Sequence, residues 1–320
     1  MSTRKKHYKI SNGEVQLAVS ETGQGQALLF FNGGGATQVS WKRLIHELRG
    51  PYRLVTFDFR NHGEATRSPH VSFERFLSDA EAMMDKVAGP RPLVVGWSLG
   101  ADLAVWYAAA HPGRVAGLFL IDGAVPVNLV VDPEDVKRRL DTPAMKVGPL
   151  LLSLVGMGYR LTPSEFAALT IELNTRREQL LSAYDQLDCP VELVLATKSA
   201  GEKGARAERN NALWRAGGEQ LARQYPALSL QWVDNTHLLP FKEPTTLARS
   251  LDAFVQRIQA DSPIPTGNQQ PSQATPGLGN TANGREGMRH EPSRQVKAHQ
   301  RCIFASSPAL TWGHSLSIIL

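Results

Sequence analysis

Gly96-Trp97-Ser98-Leu99-Gly100 joins an apolar run at 92–97 to a helical pattern at 99–110. A G-x-S-x-G pattern in this context predicts a sharp turn from strand to helix that exposes the serine hydroxyl. The turn needs glycine on both sides because no side chain fits there. It also places the Leu99 N–H at a helix N-terminus, where the helix dipole favours an oxyanion. We therefore predict that Ser98 is a nucleophile; the alternative is an ordinary tight turn with an incidental serine.

A serine is a weak nucleophile without a general base. Of nine histidines, His237 is the best placed, because it follows the last strand-like run on a loop that returns to the top of the sheet. We expect His62 and His111 to be turn or cap residues, and three more histidines fall in the C-terminal segment. His237 is therefore the predicted base.

A second glycine-rich turn, Asn32-Gly33-Gly34-Gly35, follows an earlier apolar run. Consecutive glycines let backbone N–H groups approach a substrate, so Gly34 is predicted to supply a second oxyanion donor beside Leu99. Such a turn can also cradle phosphate. Neither nucleotide-binding spacing of glycines follows it, however, and no cluster of arginines points to a phosphate.

Short apolar runs alternate with helical patterns over residues 1–260. Most of these runs lack polar alternation, as expected of strands buried on both faces of a parallel sheet. Asn12-Gly13 between the first two runs predicts a hairpin. We predict one α/β domain with a mostly parallel eight-stranded sheet flanked by helices. The predicted strands lie at 7–10, 15–19, 27–31, 53–57, 92–97, 115–121, 191–196 and 229–233.

Two segments break this alternation. The interval 126–188 is longer than one crossover needs and contains helix starts at Asp132 and Thr162, so it is predicted to be a helical cap over the sheet. Its apolar residues either line a pocket or pack the cap onto the body; they are Leu150, Leu151, Leu152, Leu154, Val155 and Met157. The segment 261–320 is rich in Pro, Gly, Asn, Gln and Ser at its start and is predicted to be disordered.

Bulk composition limits the partners. The net charge is +5, yet Lys and Arg are scattered among Asp and Glu, so no nucleic-acid surface is predicted. The apolar, uncharged run at 147–159 is too short to cross a hydrocarbon core of roughly 30 Å. Two cysteines and a polar start favour a cytoplasmic location. No metal or cofactor is predicted, and the oligomeric state is undetermined.

These segments together resemble the α/β-hydrolase superfamily, specifically its small esterase and lipase-like serine hydrolases, over about residues 15–258. The resemblance rests on the oxyanion loop at 32–34, the turn at 58–63, the nucleophile elbow at 96–100 and His237 with Glu243-Pro244. The sequence departs from the family pattern at three positions. Asn32 stands where histidine is usual, Asn61 replaces a glycine that asparagine can mimic in a left-handed conformation, and Ala101 stands where a second glycine is common. The resemblance implies hydrolysis at a carbonyl through an acyl-enzyme on serine.

The acid that orients the histidine is the fourth departure. The family's usual position, after the seventh strand, holds Ser199 rather than an aspartate. A second arrangement in the family places the acid after the sixth strand, where Asp122 lies. Asp122 is the first choice and Glu202 the second, although Asp122 also suits a cap of its own turn.

The predicted activity is hydrolysis of a small-molecule carboxylic ester or thioester with a hydrophobic group. Ser98 attacks, His237 accepts the proton, Asp122 orients the imidazole, and the Gly34 and Leu99 N–H groups bind the oxyanion. One alternative is a ligand-binding or interaction protein with little turnover. Another is a different reaction of the same fold, such as carbon–carbon bond hydrolysis or cofactor-free peroxidation.

Overall fold

The computed structural model describes residues 5–153 and 157–261. Apart from Asp261, the segment predicted to be disordered lies outside the described residues. Leu154 and Val155 of the predicted cap also lie outside them.

Eight strands form one sheet in the order β1-β2-β4-β3-β5-β6-β7-β8. β2 pairs antiparallel with β1 and β4, and all other neighbours are parallel, which confirms the mostly parallel sheet. Each predicted strand is present, and Gly13 takes a positive φ of 58° in the predicted hairpin turn. The strands are β1 Lys6–Asn12, β2 Val15–Gly23, β3 Gln26–Phe31, β4 Tyr52–Asp58, β5 Leu93–Trp97, β6 Gly117–Ile121, β7 Val191–Lys198 and β8 Leu228–Thr236.

Ten α-helices lie within the part of the chain that the structure describes. α1 and α10 pack together on one face of the sheet, and α2, α3 and α7 pack side by side on the other, as right-handed crossovers require. The helices are α1 Lys42–Glu47, α2 Phe73–Met83, α3 Leu99–Ala110, α4 Pro133–Leu140, α5 Pro143–Ser153, α6 Pro163–Arg177, α7 Leu180–Tyr184, α8 Ala205–Gln224, α9 Leu239–Lys242 and α10 Pro244–Asp261.

The interval 126–188 contains α4 to α7. α4 begins after Asp132, whose side chain accepts the Glu134 N–H at 2.9 Å. α6 begins with the predicted capping box, in which Thr162 and Glu165 satisfy each other's backbone N–H groups. α4 packs against α6, while α7 packs against α3 of the body. The two helix starts read from the sequence are therefore confirmed.

The first turn of α3 lies unusually close to the ends of β3 and β6. A Cβ on Gly100 would clash with the Phe31 carbonyl, and a Cβ on Gly123 would lie 2.7 Å from the Ala101 Cβ. At position 101, where glycine is common in the family, this chain has alanine. The Ala101 methyl group fits because Gly123 has no side chain. This close packing holds Ser98 at the carboxyl end of the parallel strands.

Replacing Gly100 by alanine should lower the free energy of unfolding by about 3 kcal/mol or more, because the new methyl group meets backbone rather than a movable side chain. Urea denaturation followed by circular dichroism measures this change.

Gly148→Ala is the matched control, since a Cβ there meets nothing within 4 Å and the residue lies inside α5. It should be neutral or add up to about 1 kcal/mol of helix propensity. Equal stability of the two variants would contradict the close-packing argument.

Candidate active site

Ser98 lies at the turn between β5 and α3, with φ 54° and ψ −123°. A non-glycine residue rarely adopts this backbone conformation, and it persists only where the surroundings enforce it. Here the Ser98 N–H donates to the Ile121 carbonyl at 3.0 Å, and the Ser98 carbonyl accepts the Ala101 N–H at 2.8 Å. The strained turn predicted from the sequence is therefore present.

His237 follows the last residue of β8 and faces Ser98. Its Nε2 lies 2.9 Å from the Ser98 Oγ. The indole of Trp97 packs against the imidazole, with ring centroids 5.5 Å apart, and its Nε1–H donates to the His237 carbonyl at 3.0 Å. The residue beside the nucleophile thus holds both the ring and the backbone of the histidine in place.

Asp122 follows β6 and completes the constellation, with its Oδ2 2.7 Å from the His237 Nδ1. The same carboxylate accepts the Ala196 N–H at 2.9 Å and the Trp214 Nε1–H at 3.0 Å, and the Ser199 hydroxyl also donates to it. Side chains 98, 122 and 237 are buried, so the Ser98 hydroxyl is not exposed to solvent as the sequence pattern predicted. A buried carboxylate with this many donors is held in one orientation.

The other assignments for the acid lack such contacts. Glu202 is exposed to solvent. The turn after Asp122 is capped by a different carboxylate, because the Ala124 N–H donates to the Asp102 Oδ2 at 3.3 Å. The structure thus contradicts the reading of Asp122 as a cap of its own turn. Ser199, at the position of the missing aspartate, has its Oγ 3.4 Å from the His237 Nδ1 and donates to Asp122.

A buried ion pair supports the loop that carries Asp122. The Arg177 guanidinium, at the end of α6, contacts both oxygens of Asp102 in α3 at 3.0 and 2.8 Å. The guanidinium also lies 5.2 Å from the Trp214 ring, whose Nε1–H binds Asp122. The ion pair and the Trp214 indole therefore link α6 and α3 to Asp122.

The predicted oxyanion loop is anchored on both sides. Asn32, where the family has histidine, donates to the Phe57 carbonyl at 2.6 Å and accepts the Trp41 Nε1–H at 2.5 Å. The Gly35 N–H donates to His62, whereas the N–H groups of Gly33 and Gly34 have no protein acceptor within the described residues. Leu99, as the first residue of α3, has no acceptor within the helix for its N–H.

Gly34 and Leu99 border one small cavity. Its other walls come from α6, at Phe166, Leu169, Thr170 and Leu173, and its volume is about 10 Å³, enough for about one water molecule. None of the described residues among the apolar set at 150–157 lines this cavity. Leu150 and Leu151 are exposed on α5, and Met157 borders a different groove. The cap thus covers the site with α6.

Sequence reasoning missed the positioning roles of Trp97, Asp102, Arg177 and Trp214. Trp97 lies inside the recognised motif, so the motif itself was a signal. The other three lie on separate helices, and only their tertiary packing brings them to Asp122. Within the described residues, no group of three or more His, Cys, Asp or Glu side chains is arranged to hold a metal ion, and no helix is long and apolar enough to cross a membrane.

The family resemblance is supported by comparison with known proteins. A family model for the alpha/beta hydrolase fold matches residues 26–175. A putative lipase structure from Acinetobacter baumannii superposes with a TM-score of 0.64 at 15% identity, covering 81% of this chain and 93% of that chain. The fold prediction is therefore confirmed: the chain has the α/β-hydrolase fold.

Curated relatives match shorter segments. The proline iminopeptidase PfmaB of Pestalotiopsis fici is 35% identical over 71 residues, which are 22% of this chain and 25% of the relative. The pimeloyl-[acyl-carrier protein] methyl ester esterase of Chromobacterium violaceum is 34% identical over 110 residues, or 33% of this chain and 41% of the relative. The chain thus matches between 25% and 41% of the length of these relatives.

His62 is a buried neutral histidine next to the oxyanion loop. Its Nδ1 lies 2.8 Å from the Arg60 carbonyl, so Nδ1 carries the proton, while Nε2 accepts the Gly35 N–H at 3.0 Å. Burial lowers the pKa of His62 to about 4. An unfolded chain takes up this proton near pH 6.5, well before the folded chain does. The stabilisation is therefore complete above pH 6.5 and is lost as the pH falls toward 4.

His62→Gln should abolish this part of the pH dependence, because glutamine does not titrate and its amide oxygen still accepts the Gly35 N–H. Between pH 7 and pH 4 the wild type should lose about 3 kcal/mol more unfolding free energy than the variant does. Urea titrations at several pH values provide the measurement.

His46→Gln removes an exposed histidine from α1 and serves as the control. It should follow the wild-type curve. Parallel stability curves for wild type and His62→Gln would show that His62 does not titrate differently on unfolding.

Proposed function

We propose that this chain is a serine hydrolase that cleaves a carboxylic ester or thioester with a hydrophobic group. The observation that carries the proposal is the hydrogen-bonded row in which Asp122 Oδ2 lies 2.7 Å from His237 Nδ1 and His237 Nε2 lies 2.9 Å from Ser98 Oγ. Since a carboxylate only accepts, Nδ1 carries the proton and Nε2 is free to accept one from the serine.

In the proposed reaction the Ser98 oxygen attacks the carbonyl carbon as His237 takes the hydroxyl proton. The Leu99 and Gly34 N–H groups stabilise the tetrahedral oxyanion. The bond to the leaving oxygen or sulfur then breaks, and His237 returns the proton to the departing alcohol or thiol. Water attacks the acyl-enzyme by the same route and releases the acid.

Two features support an apolar ester as substrate. The wall contributed by α6 is mainly hydrophobic, with Phe166, Leu169 and Leu173 facing the nucleophile turn. One relative is by name a methyl ester esterase that acts on an acyl chain. Because the cavity holds only about one water molecule, the substrate must displace α6 to reach Ser98.

A fluorophosphonate probe tests the nucleophile. The wild type should be labelled on the peptide that contains Ser98, and labelling should vanish in Ser98→Ala and His237→Ala. In these variants kcat/KM toward p-nitrophenyl butyrate should fall by about 10⁴-fold or more, because the serine and its base act as a unit.

Ser20→Ala is a matched control, since the Ser20 Oγ lies 3.0 Å from the His7 Nδ1 in a second serine–histidine contact away from the nucleophile turn. It should keep full labelling and activity. Folded wild-type protein that resists the probe would refute the hydrolase proposal and favour the ligand-binding alternative.

Asp122→Asn tests the acid. Asparagine cannot balance the imidazolium that forms during the reaction, so kcat should fall about 10³- to 10⁴-fold with little change in KM. Glu202→Gln, at an exposed position, should stay within about twofold of wild type. The opposite pattern of losses would transfer the acid's role to Glu202.

A further inference from the structure

A crevice of about 290 Å³ separates the cap helix α4 from the body helix α8. Four arginines line it, two from each helix, although they are far apart in the sequence. The expectation that no arginines cluster is therefore wrong, because folding brings two short segments together. The charged residues of the crevice are Arg138, Arg139, Arg206, Arg209, Asp132 and Asp135.

The charges in this crevice do not balance. On α4, Asp135 and Asp132 accept from Arg139 at 3.0 Å and from Arg138 at 3.2 Å. On α8, Arg209 donates to the neutral Asn210 amide oxygen, at 3.1 and 2.8 Å, and to no other group in the part of the chain that the structure describes. Arg206 has no hydrogen bond or ion pair within residues 5–153 and 157–261. Four guanidinium groups against two carboxylates leave a net charge of +2.

One guanidinium group is also incompletely satisfied. The Arg139 Nη1 is buried and has no hydrogen-bond partner among the described residues. Partial burial and the facing Arg139 cation lower the pKa of Arg206, while the Asp135 carboxylate acts in the opposite direction, so like charges face each other across the crevice beside one opposite charge. A bound anion would relieve this repulsion and satisfy the free N–H groups.

We propose that this crevice binds a phosphoryl group between α4 and α8, through Arg139, Arg206 and Arg209. A phosphate carries close to two negative charges at neutral pH, which matches the excess charge, and its oxygens fit the forked geometry of guanidinium groups. Apolar walls at Val130, Val131 and Val136 leave room for an organic substituent on the phosphate.

This site goes beyond the proposed hydrolase activity. α4 packs on α6, which covers the cavity beside Ser98. A phosphate bound here would tie the cap to the body through α8. Binding requires no turnover, so it can be measured whether or not the chain hydrolyses an ester.

The test uses the full chain, with sodium phosphate or ADP titrated at constant ionic strength by calorimetry and by thermal melting. Both probes carry phosphoryl groups, and tighter binding of ADP would identify a phosphate ester as ligand, whereas equal binding would identify free phosphate. In either case Arg206→Gln/Arg209→Gln should weaken binding at least roughly tenfold.

Arg215→Gln, an exposed substitution on the same helix and outside the crevice, is the matched control and should bind as wild type. Arg206 and Arg209 are exposed, and their replacement relieves repulsion, so the double variant should melt no lower than wild type without ligand. The proposal is overturned if neither probe binds at millimolar concentration, or if wild type and the double variant respond alike.

Discussion

The first turn of α3 packs so closely against the ends of β3 and β6 that no Cβ fits at Gly100 or Gly123. This contact sets the position of Ser98, because the turn between β5 and α3 then accommodates its φ of 54°. Every other feature of the candidate site is arranged around that point. The histidine loop follows β8, Asp122 follows β6, and the glycine loop follows β3.

Burying a carboxylate and an imidazole together is costly unless each polar atom has a partner. Donors from three other parts of the chain, the Ala196 N–H, the Ser199 hydroxyl and the Trp214 indole, meet the Asp122 carboxylate. The Arg177–Asp102 pair then braces the same loop. Removing one member of such a network leaves a buried charge unpaired, so the network specifies geometry as well as stability.

The cap has two kinds of contact with the body. At α6 the contact is apolar and closes the cavity beside Gly34 and Leu99. At α4 it is a crevice with excess positive charge facing α8. The first contact covers the turn that carries Ser98, and the second is the place where we propose that an anion bridges cap and body. Both contacts are made by helices whose N-cap residues, Asp132 and Thr162, were predicted from the sequence.

The sequence by itself determined the strands, the nucleophile turn and the histidine loop, because those signals are local: an apolar run, a G-x-S-x-G turn and a residue just after a strand. It also indicated that Asn61 adopts a left-handed conformation, and its φ is 62°. The contact of Asp122 with His237 joins residues 115 positions apart, and only the tertiary structure decided it over Glu202. Only the tertiary structure showed that the Trp214 indole contacts the Asp122 carboxylate and that α6 rather than α5 covers the cavity. It alone also showed that arginines of α4 and α8 meet. Side-chain distances across separate elements depend on how the elements pack, and no local pattern of residues encodes that packing.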